Sequence, residues 1–398
     1  MKRYNKNTEY SVEFIESCIH MCLKNKWKRR DVSYFFAEYM NKMYVTEMGV
    51  HRLEKIIHNQ ILEDKTELYS TIHDISVEIR NEIMNREIKF KPIIYKKRYD
   101  ECSGKTREIG ISTIKQQVYD YIAVESLKEM FMAKIGYYQC ASLKGRGQVF
   151  GKNTIEKWIR KNPKKTKYAY KCDIKKFYPS VNHDILKSFL RRDIKNEDTL
   201  YILDSIIDTY GENGLCIGSY LSQYLANYFL SYAYHYVTEK MLRKRKKKNG
   251  EIVTVNMVSH CLFYMDDIII FSPRKSDLKI VINKFNSYIK NTLGLEIKEG
   301  SALFKVDSMP IDMMGYKIYR THTETRKRIF LKSRKYFIKY KGKRNDTDIK
   351  DAKSITSYYG YIKHTDSFNF CRKYKVHRTL KRARKVCSYD SRIYRQAT

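Results

Sequence analysis

Proline is nearly absent from this chain, 5 residues in 398, and glycine is sparse at 16. There is no internal repeat and no low-complexity linker, so the parts should pack as one continuous body. Long apolar runs are missing as well; none approaches the ~20 residues that a membrane span needs. Acids are outnumbered, 44 against 79 Lys and Arg, for a net charge of +35. That excess runs the whole length of the chain rather than forming one tail, which points to a polyanionic partner, nucleic acid first. The 35 tyrosines interleaved with it serve mostly as packing and offer surfaces for base stacking. No secretory leader is visible, and the nine cysteines are scattered, so a reducing cytosol is expected. Cys18-Ile19-His20-Met21-Cys22 lacks a second cysteine pair. Its i, i+4 spacing reads as one buried helix face, with zinc as the alternative.

Against this background, Tyr264-Met265-Asp266-Asp267 stands out. Val258 to Phe263 leads in and Ile268 to Phe271 leads out, both strand-like, so the two acids should sit on a tight hairpin turn. Adjacent carboxylates between buried strands repel each other and resist desolvation. Divalent cations would neutralise them, and hard oxygen donors suit Mg²⁺; a solvated Asp turn is the other reading. A second strand-like segment, Lys167 to Cys172, ends at Asp173 and runs into Ile174-Lys175-Lys176-Phe177-Tyr178. Alone, Asp173 could cap the following helix. Together, Asp173, Asp266 and Asp267 form a carboxylate set from separate strands, as two-metal nucleotidyl transfer requires.

Residues 1–88 read as mostly helical. Phe90 to Ile111 reads as a β-hairpin turning at Gly104 and studded with Lys96, Lys97, Arg98, Lys105 and Arg107. Ile114 to Met132 is expected as one amphipathic helix. Gly145-Arg146-Gly147 breaks the chain before another helix from about Asn153 to Arg160, and helices run on to about residue 209. A glycine-punctuated loop from Gly211 to Gly218 opens a long helix from Ser219 to about Lys240. The basic run Arg243 to Lys248 precedes Asn249-Gly250, a strong hairpin signal; it is read as a solvated tip, with nucleic-acid contact the alternative. Ser276 to Leu293 is expected helical, Phe304 to Tyr319 strand-rich, and 330–398 basic and helical.

In chain order the sequence shows Gly104-Lys105-x-Arg107-x-Ile109-x-Ile111, Asp173-x-x-x-Phe177-Tyr178, Ile217-Gly218-x-x-x-Ser222-Gln223, Tyr264-Met265-Asp266-Asp267 and Met314-Gly315-Tyr316. The set resembles the reverse transcriptase family from roughly residue 88 to 320. The resemblance implies an α+β right-hand polymerase with a helical N-terminal extension (1–88), fingers and an antiparallel palm sheet (89–323), and a basic helical thumb (324–398). It implies an RNA-directed DNA polymerase that takes an RNA template, a DNA or RNA primer and dNTPs. Asp173 and Asp266 would hold two Mg²⁺ ions with Asp267 beside them. Arg107, helped by Lys105 or Arg98, would clamp the triphosphate, for which a guanidinium fork is well suited. Tyr178 falls at the steric gate against a ribose hydroxyl, with a core aromatic as the other reading. Ile217, Gly218 and Gln223 would line the nucleotide site. Met314-Gly315-Tyr316 falls at the primer grip, and Lys298 near the lysine that protonates pyrophosphate.

Most members of the family carry Gln where this chain has Ile217 and Pro where it has Gln223. An apolar residue before that glycine, with Ser-Gln downstream, resembles the error-prone enzymes of bacterial diversity-generating retroelements. Ser142-Leu143-Lys144-Gly145-Arg146-Gly147-Gln148 and Ser357-Tyr358-Tyr359-Gly360-Tyr361-Ile362-Lys363-His364 look like the same group. That resemblance implies a cytoplasmic enzyme, bacterial or phage-encoded, with a small basic helical accessory protein. The alternative is an antiphage defence enzyme that copies a dedicated noncoding RNA or extends DNA with little template guidance. A catalytically inactive, maturase-like RNA-binding protein is the rival outside enzymes, and three clustered acids argue against it. No RNase H or HNH endonuclease signature is present, and residues 1–88 match nothing assignable.

Overall fold

In the computed structural model of the protein, the described residues are 4–5, 8–27, 29–40, 65–100, 104–341 and 348–396. Parts of the expected N-terminal helical extension therefore lie outside them. Helices α1 (Val12–Leu23), α2 (Arg30–Met40) and α3 (Lys65–Met84) come first. Ser11 caps α1 by accepting from the Phe14 N–H, which satisfies one of the orphan donors of the first turn. Cys18 and Cys22 are fully buried on α1 and both are free thiols. They form the buried helix face, and among the described residues no His, Cys, Asp or Glu group completes a zinc site.

An exposed antiparallel hairpin follows, β1 (Ile94–Asp100) and β2 (Lys105–Ile111). The single helix expected from Ile114 to Met132 is two, α4 (Ile114–Ser126) and α5 (Lys128–Lys134), interrupted at Leu127. The periodicity continues across the break because Leu127, Met130 and Phe131 all remain buried. Short β3 (Gln139–Cys140) precedes α6 (Gln148–Lys161), which begins five residues earlier than expected because Gly147 supplies its extended N-cap.

Strand β4 (Tyr168–Asp173) leads to α7 (Phe177–Ser180), α8 (His183–Asp193), α9 (Glu197–Asp208) and the long α10 (Tyr220–Glu239). Next come a second hairpin, β5 (Leu242–Lys246) and β6 (Ile252–Asn256), and a third, β7 (His260–Tyr264) and β8 (Asp267–Ser272). Helix α11 (Lys275–Leu293), β9 (Ala302–Lys305), β10 (Ile311–Met313), β11 (Tyr316–Ile318) and β12 (Thr323–Thr325) complete the middle of the chain. The C-terminal part is helical as expected: α12 (Lys327–Lys339), α13 (Ile349–Ile362), α14 (Phe368–Lys373) and α15 (Val376–Gln396).

The central sheet has five strands in the order β3-β7-β8-β4-β9, antiparallel except for the β3–β7 pair. Ile268, Ile269, Ile270 and Phe271 are all fully buried, so β8 is covered on both faces, which is why it reads as a continuous apolar run. Helices α10 and α11 pack on one face, burying Leu225, Phe229, Phe285 and Ile289. Residues of α1, α2 and α3 share that same core with α4 and α10. Beneath the other face, Trp158 and Ile159 of α6 pack with Tyr316 of the β10–β12 sheet. The C-terminal helices have a small core of their own around Phe337, Ile355 and Val376. Arg328 of α12 reaches across to the β1–β2 hairpin, donating to the Tyr99 hydroxyl at 2.7 Å.

Candidate active site

The sheet brings the three acids to one end. Tyr264 pairs with Asp267 across a two-residue turn, Met265-Asp266, and Met265 lies at φ +52°, a conformation that costs a non-glycine residue of order 1–3 kcal/mol. Asp267 is thus the first residue of β8 rather than part of the turn, and it stands directly opposite Asp173 at the end of β4. The backbone holds this arrangement on two sides. The Ile174 N–H donates to the Asp266 carbonyl at 3.1 Å, and the Lys298 N–H donates to the Asp173 carbonyl at 2.8 Å.

Burial and the neighbouring Asp173 charge push the Asp266 carboxyl up to about 6, against a weaker opposing pull from Arg107. Asp267 is also raised, by burial, with Lys171 and Arg326 opposing. Lys171 Nζ lies 2.8 Å from Asp267 Oδ1, whereas neither Asp173 nor Asp266 has a cationic partner at ion-pair distance among the described residues. The sequence reading missed Lys171. Its signal was a lone cation inside Tyr168–Asp173, two residues before the acid and therefore on the same sheet face.

A carboxylate held up by a second carboxylate is a site short of positive charge. The donor set fits hard divalent cations, with Asp173 and Asp266 as the pair left open. Among the described residues the acids do not form a group of three close enough to hold an ion by themselves.

Arg98 and Arg107 stand opposite each other across the β1–β2 ladder, where Lys105 stands opposite Asp100. All three cations are exposed, and the charge of Arg107 bears on both Asp266 and Tyr178. Tyr178 is half-buried beside them; burial, then the Asp266 charge, pushes its hydroxyl well above the ordinary value. Gly110 of β2 donates its N–H to the Ile217 carbonyl at 2.7 Å. Gly218 sits at φ +127°, and a Cβ there would stand 2.4 Å from the Gly110 carbonyl oxygen, so the close approach requires glycine. Ile217 is half-buried, and Gln223 is half-buried on the first turn of α10. Lys298 contributes its backbone to Asp173 while its side chain is exposed.

Behind this loop lies a polar network that the sequence reading did not find. Asp120 is fully buried on α4, and its Oδ2 accepts from Ser219 Oγ at 2.8 Å and from the Tyr220 N–H at 2.9 Å. Tyr210 and Ser219 share a hydroxyl hydrogen bond of 2.9 Å. Burial pushes the Asp120 carboxyl up to about 7 despite these bonds. An acid within an amphipathic helix pattern carried no local sign that it faces the core.

The expected primer-grip residues form the β10–β11 turn, with Met314 at φ +55° and Gly315 at φ +84°. Gln148 of α6 donates to the Met314 carbonyl. A Cβ at Gly315 would stand 2.8 Å from Tyr361 of α13, and Tyr316 is buried. Lys152 Nζ donates to the His364 carbonyl at 2.9 Å. The Gly145-Arg146-Gly147-Gln148 and Tyr358–His364 segments, far apart in sequence, therefore converge on this one turn.

Comparison with known proteins gives the arrangement a family. No curated protein matches the chain. Solved structures of telomerase from Candida tropicalis are similar at low identity. The form truncated of its C-terminal domain has 14% identity and a TM-score of 0.39, covering 69% of this chain and 68% of that one. The complex with a TWJ fragment of telomeric RNA has 12% identity and a TM-score of 0.44, covering 87% of this chain and 65% of that one. The family model described as reverse transcriptase (RNA-dependent DNA polymerase) matches residues 94–318, more than half of the chain and every segment that carries the acids. The α+β architecture is that of a right-hand polymerase, and the chain belongs to the reverse transcriptase family, an RNA-directed DNA polymerase.

Proposed function

We propose that this enzyme makes error-prone cDNA from an RNA template, as in diversity-generating retroelements. The observation that supports the reading is Ile217. An aliphatic side chain precedes Gly218 where most of the family has Gln, on a loop whose backbone is bonded to the same strand that carries Arg107. Losing a hydrogen-bonding side chain beside the incoming nucleotide removes a geometric check on the base pair.

In this reading Asp173 and Asp266 hold two Mg²⁺ ions, which supply an activated primer hydroxyl and charge neutralisation on the pyrophosphate leaving group. Lys171 keeps Asp267 oriented and its charge balanced. Arg107, with Lys105 and Arg98, grips the triphosphate. Tyr178 stacks against the sugar and excludes a 2′-hydroxyl, and Gly218 and Gln223 line the pocket beside Ile217. The Met314-Gly315-Tyr316 segment positions the primer strand, and Lys298 falls near the lysine that protonates pyrophosphate in the family. Residues 89–323 form fingers and palm, 324–398 the thumb, and 1–88 a helical extension that extends the fingers, binds a structured RNA or docks an accessory subunit. Among the described residues six free thiols are buried, which suits a reducing cytoplasm, and no helix is long and apolar enough to cross a membrane.

Primer extension by the purified protein with Mg²⁺ and dNTPs, on an RNA template rich in adenine, tests the reading when the products are sequenced. Errors concentrated opposite adenine, reduced in Ile217→Gln, support it. Accurate or untemplated DNA would replace it with the defence reading, in which a dedicated noncoding RNA is copied.

A further inference from the structure

The β5–β6 hairpin takes no part in the site described above. It is a two-stranded sheet paired only with itself, in the register Leu242↔Asn256 to Lys246↔Ile252. It leaves the body between the C-terminal end of α10 and the start of β7, at the opposite end of β7 from the Met265-Asp266 turn. Its root is fixed: Arg243 Nε bonds Asp277 Oδ2 at 3.1 Å, the Met257 N–H donates to the Met241 carbonyl at 2.8 Å, and Asn256 Nδ2 donates to the Thr238 carbonyl at 3.0 Å. Beyond the root it stands in solvent; Lys244, Arg245, Lys246 and Lys248 are all exposed.

The charges on it are unevenly spent. Of the six consecutive cations from Arg243 to Lys248, Arg243 is taken by Asp277 and Lys247 by Glu251, the hairpin's only acid. Lys244, Arg245, Lys246 and Lys248 have no acidic partner at ion-pair distance among the described residues. One or two lysines suffice to keep an open strand edge from pairing with another chain, so four unspent cations on one short ribbon exceed that need. Lys244 and Lys246 share a face about 6.7 Å apart, from the rise of a strand. Between Leu242 and Asn256 there is no aromatic residue, which removes the stacking surfaces used to hold splayed single-stranded bases. What remains is a rigid, sequence-blind comb of charges matched to a phosphate backbone.

We propose that the β5–β6 hairpin grips the sugar–phosphate backbone of a base-paired RNA segment lying outside the catalytic cleft. RNA is favoured over DNA because the template is the long polyanion this enzyme holds before any DNA has been made. The inference rests on family membership and is independent of the retroelement subgroup.

The test uses the full chain and a blunt RNA stem–loop, with Kd measured over a series of salt concentrations. Replacing Lys244, Arg245, Lys246 and Lys248 together by Ser should weaken binding and flatten the slope of log K against log salt by about 3.6. Incorporation of dNTPs on a short primer–template without a stem should be unchanged, and Lys244→Arg with Lys246→Arg and Lys248→Arg should retain wild-type binding. An unchanged slope and affinity in the serine variant overturns the proposal. An equal loss for an unpaired RNA strand of the same length, bound equally well by the wild type, overturns the assignment to a base-paired segment. If the serine variant also lost incorporation, Lys246→Glu alone, read by the same stem–loop titration, would decide between the same outcomes.

Discussion

Lys171 Nζ lies 2.8 Å from Asp267 Oδ1, within the strand pair that carries Asp173 and Asp267. The ammonium sits two residues before Asp173 on β4, so one strand presents both an acid and the cation that balances the acid's neighbour. This divides the three carboxylates into one with a resident counter-charge and two left open.

Lys171→Met should therefore strip the counter-charge from a largely buried carboxylate. Removing one member of a buried pair costs about 3–5 kcal/mol, less here because both side chains are partly exposed, and is read as a lower midpoint in denaturant. Polymerisation should fall with it, since Asp267 would add its repulsion to Asp173 and Asp266. A variant with wild-type midpoint and rate would show that Asp267 needs no partner.

Asp266→Asn should abolish incorporation yet stabilise the metal-free protein. The folded-state carboxyl is raised from 3.8 to about 6, so between those values the folded protein binds more protons than the unfolded chain, and stability falls as pH rises. Above about 6 the full cost is present, about 3 kcal/mol at 1.36 kcal/mol per unit. Denaturation in chelator-treated buffer should show the variant ahead at pH 7 and level with wild type below 3.8. A variant less stable than wild type at pH 7 would contradict strain between the acids.

The same titration sets the metal requirement. Ligands must be ionised to bind a cation, so the Mg²⁺ concentration for half-maximal incorporation should climb as pH falls through about 6. A requirement that stays flat through that range would place the binding elsewhere.

Asp120→Ala should act on the nucleotide site without touching it. The substitution leaves the Ser219 hydroxyl and the Tyr220 N–H without their buried acceptor, at about 1–3 kcal/mol. It also loosens the loop whose Ile217 carbonyl holds Gly110 of β2. Steady-state kinetics should show KM for dNTP rising more than kcat falls, and Asp120→Asn, which keeps an acceptor oxygen, should recover most of the difference. Equal changes in both constants would mean a loss of folded enzyme instead.

Much of this protein is legible from local chemistry. Continuous apolar runs mark β7 and β8, Asn249-Gly250 marks the basic hairpin, and the adjacent acids stand out because they interrupt those runs. The helix periods were also readable, though not their ends. The break at Leu127 and the early start of α6 at Gly147 depend on backbone geometry that a smooth apolar period conceals.

The pairings were decided only by the tertiary structure. Asp267 opposite Asp173 follows from the β4–β8 register, and Asp120 beneath Ser219 from the crossing of α4 and α10. The meeting of Gln148, Tyr361 and Gly315 follows from α6, α13 and the β10–β11 turn sharing one corner. Each of these contacts joins residues tens to hundreds of positions apart. A single sequence records which groups are available, while the energy of burying them together exists only once the chain has closed.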